Sequence, residues 1–286
     1  MDLEKKSIER IKMASEMSLH YYGQPLVCTY SGGKDSDVML ELFQRSGVPF
    51  EVANSHTTVD APPTVYHIRD VFRDLEDAGI KATIHRPELS MWQLIAKKKM
   101  PPCRLQRYCC EYLKENTVKN RFVATGVRWA ESVNRKIRKE IEPRGKKEAY
   151  KIMAMNDNDR KRALTEHCKI KSDMILNPIL DWSDSDIWDF YWTGCKRHNP
   201  LYKMGYYRVG CIGCPMAGKH RWKEFADFPR YRRAYVRAFG RMLEAIHTAG
   251  KPTKWTSGED VFRWWMEDEN VDGQMSIEDI LGGERE

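Results

Sequence analysis

Apolar positions recur at helical spacing near the start of the chain, where Ile8, Ile11, Leu19 and Tyr22 fall close to one face with the small Ser15 in the same row. The pattern then changes to short apolar runs separated by amphipathic segments. Residues 25–30 read as a buried strand and residues 36–46 as a helix ending near Gly47. Residues 49–54 form a second strand, Pro62-Pro63 open a helix to about Ala78, and Gly79 stops it. Residues 81–85 are a third strand, Ser90 precedes a helix to Lys99, residues 105–116 are a helix, and residues 121–126 are a fourth strand. This alternation predicts an α/β fold, a doubly wound parallel sheet with helices on both faces. Ligands in such sheets bind beyond the carboxyl ends of the strands. The segments at Ser31, Asn54–Asp60 and Gly126–Arg135 all lie there.

Past residue 135 the periodicity loosens. Residues 136–173 read as a hairpin plus a mobile loop, and Ser183 is the expected N-cap of a helix at 184–192. Residues 195–220 form a loop rich in cysteine, glycine and tyrosine, and helices follow at 229–249 and 257–267. The stripe Tyr231, Ala234, Tyr235, Ala238, Met242 and Ile246 reads as core, as do Trp182 and Trp188. The expected organisation is an α/β domain over 1–135, a basic hairpin and loop over 136–175, and a helical, cysteine-containing C-terminal part over 176–286.

Composition adds three constraints. No apolar run approaches the roughly 20 residues of a membrane span, and the amphipathic N-terminus has no signal-peptide core, so a cytoplasmic chain is expected. The net charge of +7 is uneven: residues 97–173 hold 22 Lys/Arg against 10 Asp/Glu, a surplus of +12 that leaves −5 elsewhere. That asymmetry fits either an anionic partner or a solvated basic loop. Eight cysteines in a cytoplasmic chain argue against a disulfide framework, and four of them cluster as Cys109-Cys110 and Cys211-Ile-Gly-Cys214.

The sharpest chemical signal is Ser31-Gly32-Gly33-Lys34-Asp35-Ser36, set between the first strand and its helix. Glycines let backbone N–H groups approach a phosphate, the helix N-terminus adds partial positive charge, and Lys34 adds a full one. The spacing excludes the kinase-type P-loop. Ser-Gly-Gly-x-Asp-Ser resembles the pyrophosphate loop of the ATP pyrophosphatases, the adenine nucleotide alpha hydrolase-like superfamily, whose members cleave ATP between the α and β phosphates.

The cysteines are the second signal. An adjacent pair suits two corners of an iron–sulfur cluster, and the C-x-x-C turn can supply the other two, which would staple the first domain to the C-terminal part. Thiolates also suit zinc, the less favoured reading. Arg107-Tyr-Cys-Cys-Glu-Tyr-Leu-Lys114 and Arg208-Val-Gly-Cys-Ile-Gly-Cys-Pro215 are similar to the 4Fe–4S segments of adenylyl-sulfate reductases. Gly126-Val-Arg-Trp-Ala-Glu-Ser132 with Arg135, and Pro178–Trp188, resemble the substrate loop and the tryptophan–serine–aspartate segment of the same family. Over about residues 24–216 the chain thus resembles the phosphoadenosine phosphosulfate reductase-like ATP pyrophosphatases.

The resemblance implies roles. Ser31, Gly32, Gly33, Lys34, Asp35 and Ser36 would hold the β,γ-phosphates, Asp35 through Mg²⁺. Thr57, Thr58 and Asp60, with Gly126, would contact the nucleotide, although Asp60 reads equally as the cap of a turn before Pro62. Arg128 and Arg135 would bind the α-phosphate, the alternative being ion pairs with Glu131. Cys109, Cys110, Cys211 and Cys214 would hold the cluster. Cys28 reads as inert, Cys168 and Cys195 as spectators, sulfur carriers or alternative ligands, and His56, His67, His85, His198 and His220 follow no metal spacing.

Two departures point to the reaction. The family's reductases carry a C-terminal cysteine nucleophile, and this sequence has no cysteine after Cys214; their loop is usually altered, and here Lys34, Asp35 and both serines are kept. The expectation is an ATP pyrophosphatase that adenylates a substrate for sulfur transfer, similar to those of DNA phosphorothioation systems. Nucleic acid is the favoured acceptor, and a cysteine desulfurase or another sulfur donor is implied. The alternatives are an adenylyl-sulfate or PAPS reductase using an external thiol, and a cluster- or zinc-stapled nucleic-acid-binding module that binds ATP without turnover.

Overall fold

A computed structural model of the chain describes residues 2–115, 118–143 and 173–267. Contacts divide it into two compact units. The first comprises Met1–His56, Pro62–Arg86 and Leu113–Gly210, and the second Thr57–Ala61, Pro87–Tyr112 and Cys211–Glu286.

The first unit is built on a six-stranded sheet. Its strands are β1 (Leu26–Thr29), β2 (Phe50–Ser55), β3 (Ala82–His85), β4 (Phe122–Ala124), β5 (Ile141–Pro143) and β6 (Met174–Leu176), in the order β3-β2-β1-β4-β6-β5. All neighbours are parallel except β5 and β6, which run antiparallel with Ile141 opposite Leu176. Of residues 136–173, expected as a hairpin plus a mobile loop, β5 lies at the edge of this sheet, and residues 144–172, with Cys168, lie outside the described residues. The order reverses at β1, and such a switch point opens a crevice at the strands' carboxyl ends.

The helices of this unit follow local signals. In α1 (Leu3–Tyr22) the Asp2 side chain accepts a hydrogen bond from Glu4 N, and Gly23 ends the helix at φ +64°. Helix α2 (Lys34–Ser46) follows β1, and α3 (Pro62–Asp77) starts at the proline pair. In this unit Leu26, Cys28, Met39, Phe43, Val52, Phe72, Phe122 and Leu176 form the core. Buried Arg10 of α1 donates to Asp181 and Glu140, so its charge stays paired.

The other two helices of the first unit come late. Helix α6 (Asp184–Gly194) starts from Ser183, the N-cap the sequence suggested, which forms a reciprocal capping box with Asp186, and α7 (Pro200–Lys203) starts from an Asn199 cap.

The second unit packs α4 (Met91–Lys98), α8 (His220–Asp227), α9 (Pro229–Thr248) and α10 (Gly258–Met266) around buried aromatic rings. Trp92 meets Tyr235 edge-on at 4.9 Å, and Phe225, Tyr235, Phe239, Phe262 and Trp265 form one cluster. Tyr235, Ala238, Met242 and Ile246 are buried, as their spacing predicts. Residues 105–116 depart from expectation. The α-helical turn α5 covers Tyr108–Cys110 and passes into a π-helical turn over Glu111–Glu115. Gln106 N bonds to Cys103 Sγ and Arg107 has ψ 40°, so the backbone turns before it can wind. No described helix is long and apolar enough to cross a membrane.

Candidate functional site

In the first unit the loop Ser31–Ser36 occupies the carboxyl end of β1. Gly32 has φ +72°, and a Cβ there would lie 2.8 Å from Ile68 Cγ1, so only glycine fits. Ser36 folds the loop onto itself: its hydroxyl donates to Gly33 O at 2.7 Å and accepts from Gly33 N at 3.1 Å. Below the loop, buried Asp37 accepts from the Tyr30 hydroxyl and lies 3.1 Å from His67 Nε2. Burial raises the Asp37 acid, and the His67 and Tyr30 contacts oppose that shift.

Around the loop runs a chain of alternating charge. Lys34 Nζ lies 2.8 Å from Asp35 Oδ2, Arg128 Nε 2.6 Å from Asp35 Oδ1, and Arg128 Nη2 2.7 Å from Asp184 Oδ1. Arg128 is 1% exposed, and its Nη1 also reaches Trp182 O at 3.3 Å. Lys34 Nζ stands 5.4 Å from the centre of the Trp188 ring. Gly126 touches the Asp35 backbone, where a Cβ would lie 3.4 Å from its carbonyl. Arg135 pairs with Glu131, whose Oε2 also accepts from Arg128 N at 2.9 Å. The structure therefore brings Ser31–Ser36, Gly126 and Arg128 together and engages both arginines in ion pairs.

Three residues the sequence reading missed hold this loop. Tyr202 Oη accepts from Lys34 N at 2.7 Å, at the helix N-terminus where an anion would bind. Asn199 Nδ2 donates to Gly32 O at 2.6 Å and to Thr64 Oγ1 at 3.0 Å. Asp184 grips Arg128. Asn-Pro at 199–200 carried a helix-start signal; nothing local marked Tyr202 or the pairing of Asp184.

The second unit contains Thr57, Thr58, Asp60 and all four clustered cysteines. Thr57 N donates to Asp60 Oδ2 at 2.9 Å, which is the turn-capping arrangement. Thr58 has φ +67°, and its hydroxyl accepts from Met91 N at 2.9 Å ahead of α4. The Cys211–Cys214 turn pairs with this segment: Asp60 bridges Cys211, and Ile212 N bonds to Val59 O at 2.9 Å. Gly213 N donates to Glu224 Oε2 at 2.7 Å, and the Tyr235 hydroxyl donates to Ile212 O at 2.9 Å.

The four thiols are half-buried. The Cys109 thiol is pushed up by its hydrogen bond with Cys110, by burial, and by the charges of Cys110, Cys211 and Cys214. Thiols that repel one another's ionisation in this way fit a shared cationic group that would reverse the effect. Arg107 Nη2 lies 3.3 Å from Cys110 Sγ, a donor suited to a thiolate. This soft donor set fits an iron–sulfur cluster, in which four cysteines serve one group. Among the described residues, no three His, Cys, Asp or Glu side chains are arranged around the position of a single metal ion. Cys28 and Cys195 are buried, and burial raises both thiols.

A family model described as the phosphoadenosine phosphosulfate reductase domain matches residues 25–217. An uncharacterized protein of Methanocaldococcus jannaschii is 27% identical over 257 residues, covering 87% of this chain and 54% of that protein. A second one from the same organism is 25% identical, covering 87% and 43%. The chain thus spans about half the length of these curated relatives. The adenosine 5'-phosphosulfate reductase of Allochromatium vinosum is 38% identical over 42 residues, covering 15% of this chain and 16% of that enzyme.

Proposed function

The chain belongs to the phosphoadenosine phosphosulfate reductase domain family, and from that footing we propose that it is an ATP pyrophosphatase that adenylates an acceptor for sulfur transfer. The observation that carries this reading is the Ser31–Ser36 loop, with Lys34 and Asp35 paired at 2.8 Å at the N-terminus of α2. A lysine charge at a helix N-terminus suits the β- and γ-phosphates of ATP. An acceptor oxygen attacks the α-phosphorus, the bond to the α,β-bridging oxygen breaks, and pyrophosphate leaves with the electron pair. A sulfur nucleophile then displaces AMP from the activated position.

Lys34 offsets charge on the leaving pyrophosphate, and Gly32 and Gly33 let the loop backbone approach it with no Cβ in the way. Arg128 acts as a positioning residue that orients Asp35, since both its guanidinium edges are already engaged. Asp35 would hold Mg²⁺, which would supply positive charge against the phosphates. Cys109, Cys110, Cys211 and Cys214 would hold a 4Fe–4S cluster, which supplies iron with an affinity for sulfur, zinc being the alternative occupant. Nucleic acid is the acceptor we favour, with a cysteine desulfurase or another sulfur donor as the source of sulfur.

The test is pyrophosphate release from ATP by anaerobically purified protein, with and without DNA, tRNA and adenylyl sulfate. Lys34→Ala should abolish release while iron and acid-labile sulfide stay at wild-type levels. Undiminished release by that variant refutes the loop's role. Sulfite from adenylyl sulfate and a thiol, with no pyrophosphate from ATP, would instead establish reduction.

A further inference from the structure

Helix α9 carries an arginine row that is unpaired among the described residues. Over its 20 residues the only acid is Glu244, while Arg230, Arg232, Arg233, Arg237 and Arg241 are all basic. Arg232 pairs with Glu259. Arg230, Arg233, Arg237 and Arg241 are exposed, and none has an ion-pair or hydrogen-bond partner among the described residues. At about 100° per residue these four fall within one arc of about 80°, and at about 1.5 Å per residue they span about 16 Å of the helix.

The row is costly to the helix that carries it. Like charges three and four residues apart repel. Arg230 stands in the first turn, which holds no acid, so it also opposes the positive end of the helix dipole. An ordinary solvated helix would interleave acids on this face. The opposite face, with Tyr235, Ala238, Phe239, Met242 and Ile246, is buried against the unit's core, so the helix cannot roll over to insert apolar residues into a lipid surface. The exposed face also lacks an aromatic on which an unpaired base could stack.

From this placement we infer that the Arg230–Arg233–Arg237–Arg241 face of α9 docks the phosphate backbone of double-stranded DNA. Guanidinium pairs bidentately with phosphate oxygens. The B-form major groove, about 12 Å wide, lets a helix lie along it with charged side chains on the flanking strands, whereas the A-form groove is deep and narrow. The inference deepens the proposed function by giving its favoured acceptor a docking surface, and it concerns residues outside the ATP loop.

The experiment is fluorescence anisotropy with a labelled 20-base-pair DNA duplex, measured with the full chain across a series of salt concentrations. Each lost phosphate contact lowers the slope of log affinity against log salt by about 0.9. Arg233→Ala/Arg237→Ala should reduce the slope by about two and weaken binding by about tenfold or more at 0.1 M salt. Lys5→Ala/Lys12→Ala removes the same charge from exposed positions on α1 and should leave the slope unchanged. Equal slopes for the α9 variant and wild type overturn the inference, as does preferential binding of double-stranded RNA or of anionic lipid vesicles. ATP cleavage without DNA should be intact in the α9 variant, so failure of docking and failure of the ATP reading separate cleanly.

Discussion

Gly213 offers the most direct check on how the cysteine turn is built. It has φ +75°, and a Cβ added there would lie 2.7 Å from Phe225 Cζ, 2.9 Å from Trp265 Cη2 and 3.0 Å from Tyr235 Cε2. All three rings are buried in the aromatic cluster and cannot swing into solvent. Gly213→Ala therefore incurs left-handed backbone strain of about 1–2 kcal/mol. Overpacking of a closed core adds about 1–3 kcal/mol. The expected loss is about 2–5 kcal/mol, a fall in melting temperature of about 4–20 °C. Urea denaturation followed by tryptophan fluorescence measures it, and since two units need not melt together, limited proteolysis of the second unit is read alongside. Gly210→Ala is the matched control, since a Cβ at Gly210 meets nothing within 4 Å; its effect should stay within about 0.5 kcal/mol. A Gly213→Ala protein as stable as the control would refute the argument that the turn is locked by ring contact.

Two further outcomes test other parts of the molecule. Tyr202→Phe strips the acceptor from Lys34 N, and an unsatisfied buried donor costs about 1–3 kcal/mol. Added inorganic pyrophosphate, which brings an acceptor, should raise the melting temperature of this variant more than that of wild type; equal shifts would show that Tyr202 does not cap the loop. Asp181 titrates at about 2: burial raises it, but hydrogen bonds from Arg10 and Lys6 more than offset that rise. Its folded acid lies below the ordinary value of about 4, so its contribution is present above about pH 4 and is lost as pH falls toward 2. Asp181→Asn should flatten the loss of stability across that window, and an unchanged acid limb would rule the ion pair out as its source.

Much of this site is legible in the order of residues. Gly32 has to be glycine, and the turn from strand to helix around it is a local requirement readable within a few residues. The helix caps at Ser90 and Ser183 are visible for the same reason, since each bonds to a backbone N–H three residues on. The 105–116 segment misleads, because its apolar spacing is helical while the Gln106 contact to Cys103 Sγ belongs to a turn. Arg128 is legible as a residue beside the loop, and its burial is not: its partners Asp35 and Asp184 stand 93 and 56 residues away.

The sequence by itself determined the strand–loop–helix that suits a phosphate, the alternation that makes a mostly parallel sheet, and the paired cysteines. Backbone conformation and periodicity are properties of neighbouring residues, so a single chain displays them. Tertiary structure alone decided that Tyr202 meets Lys34 N and that residues 87–112 join the C-terminal segment in one unit. Those outcomes depend on which surfaces bury one another across more than a hundred residues, and the free energy of that choice resides in packing that no local pattern records.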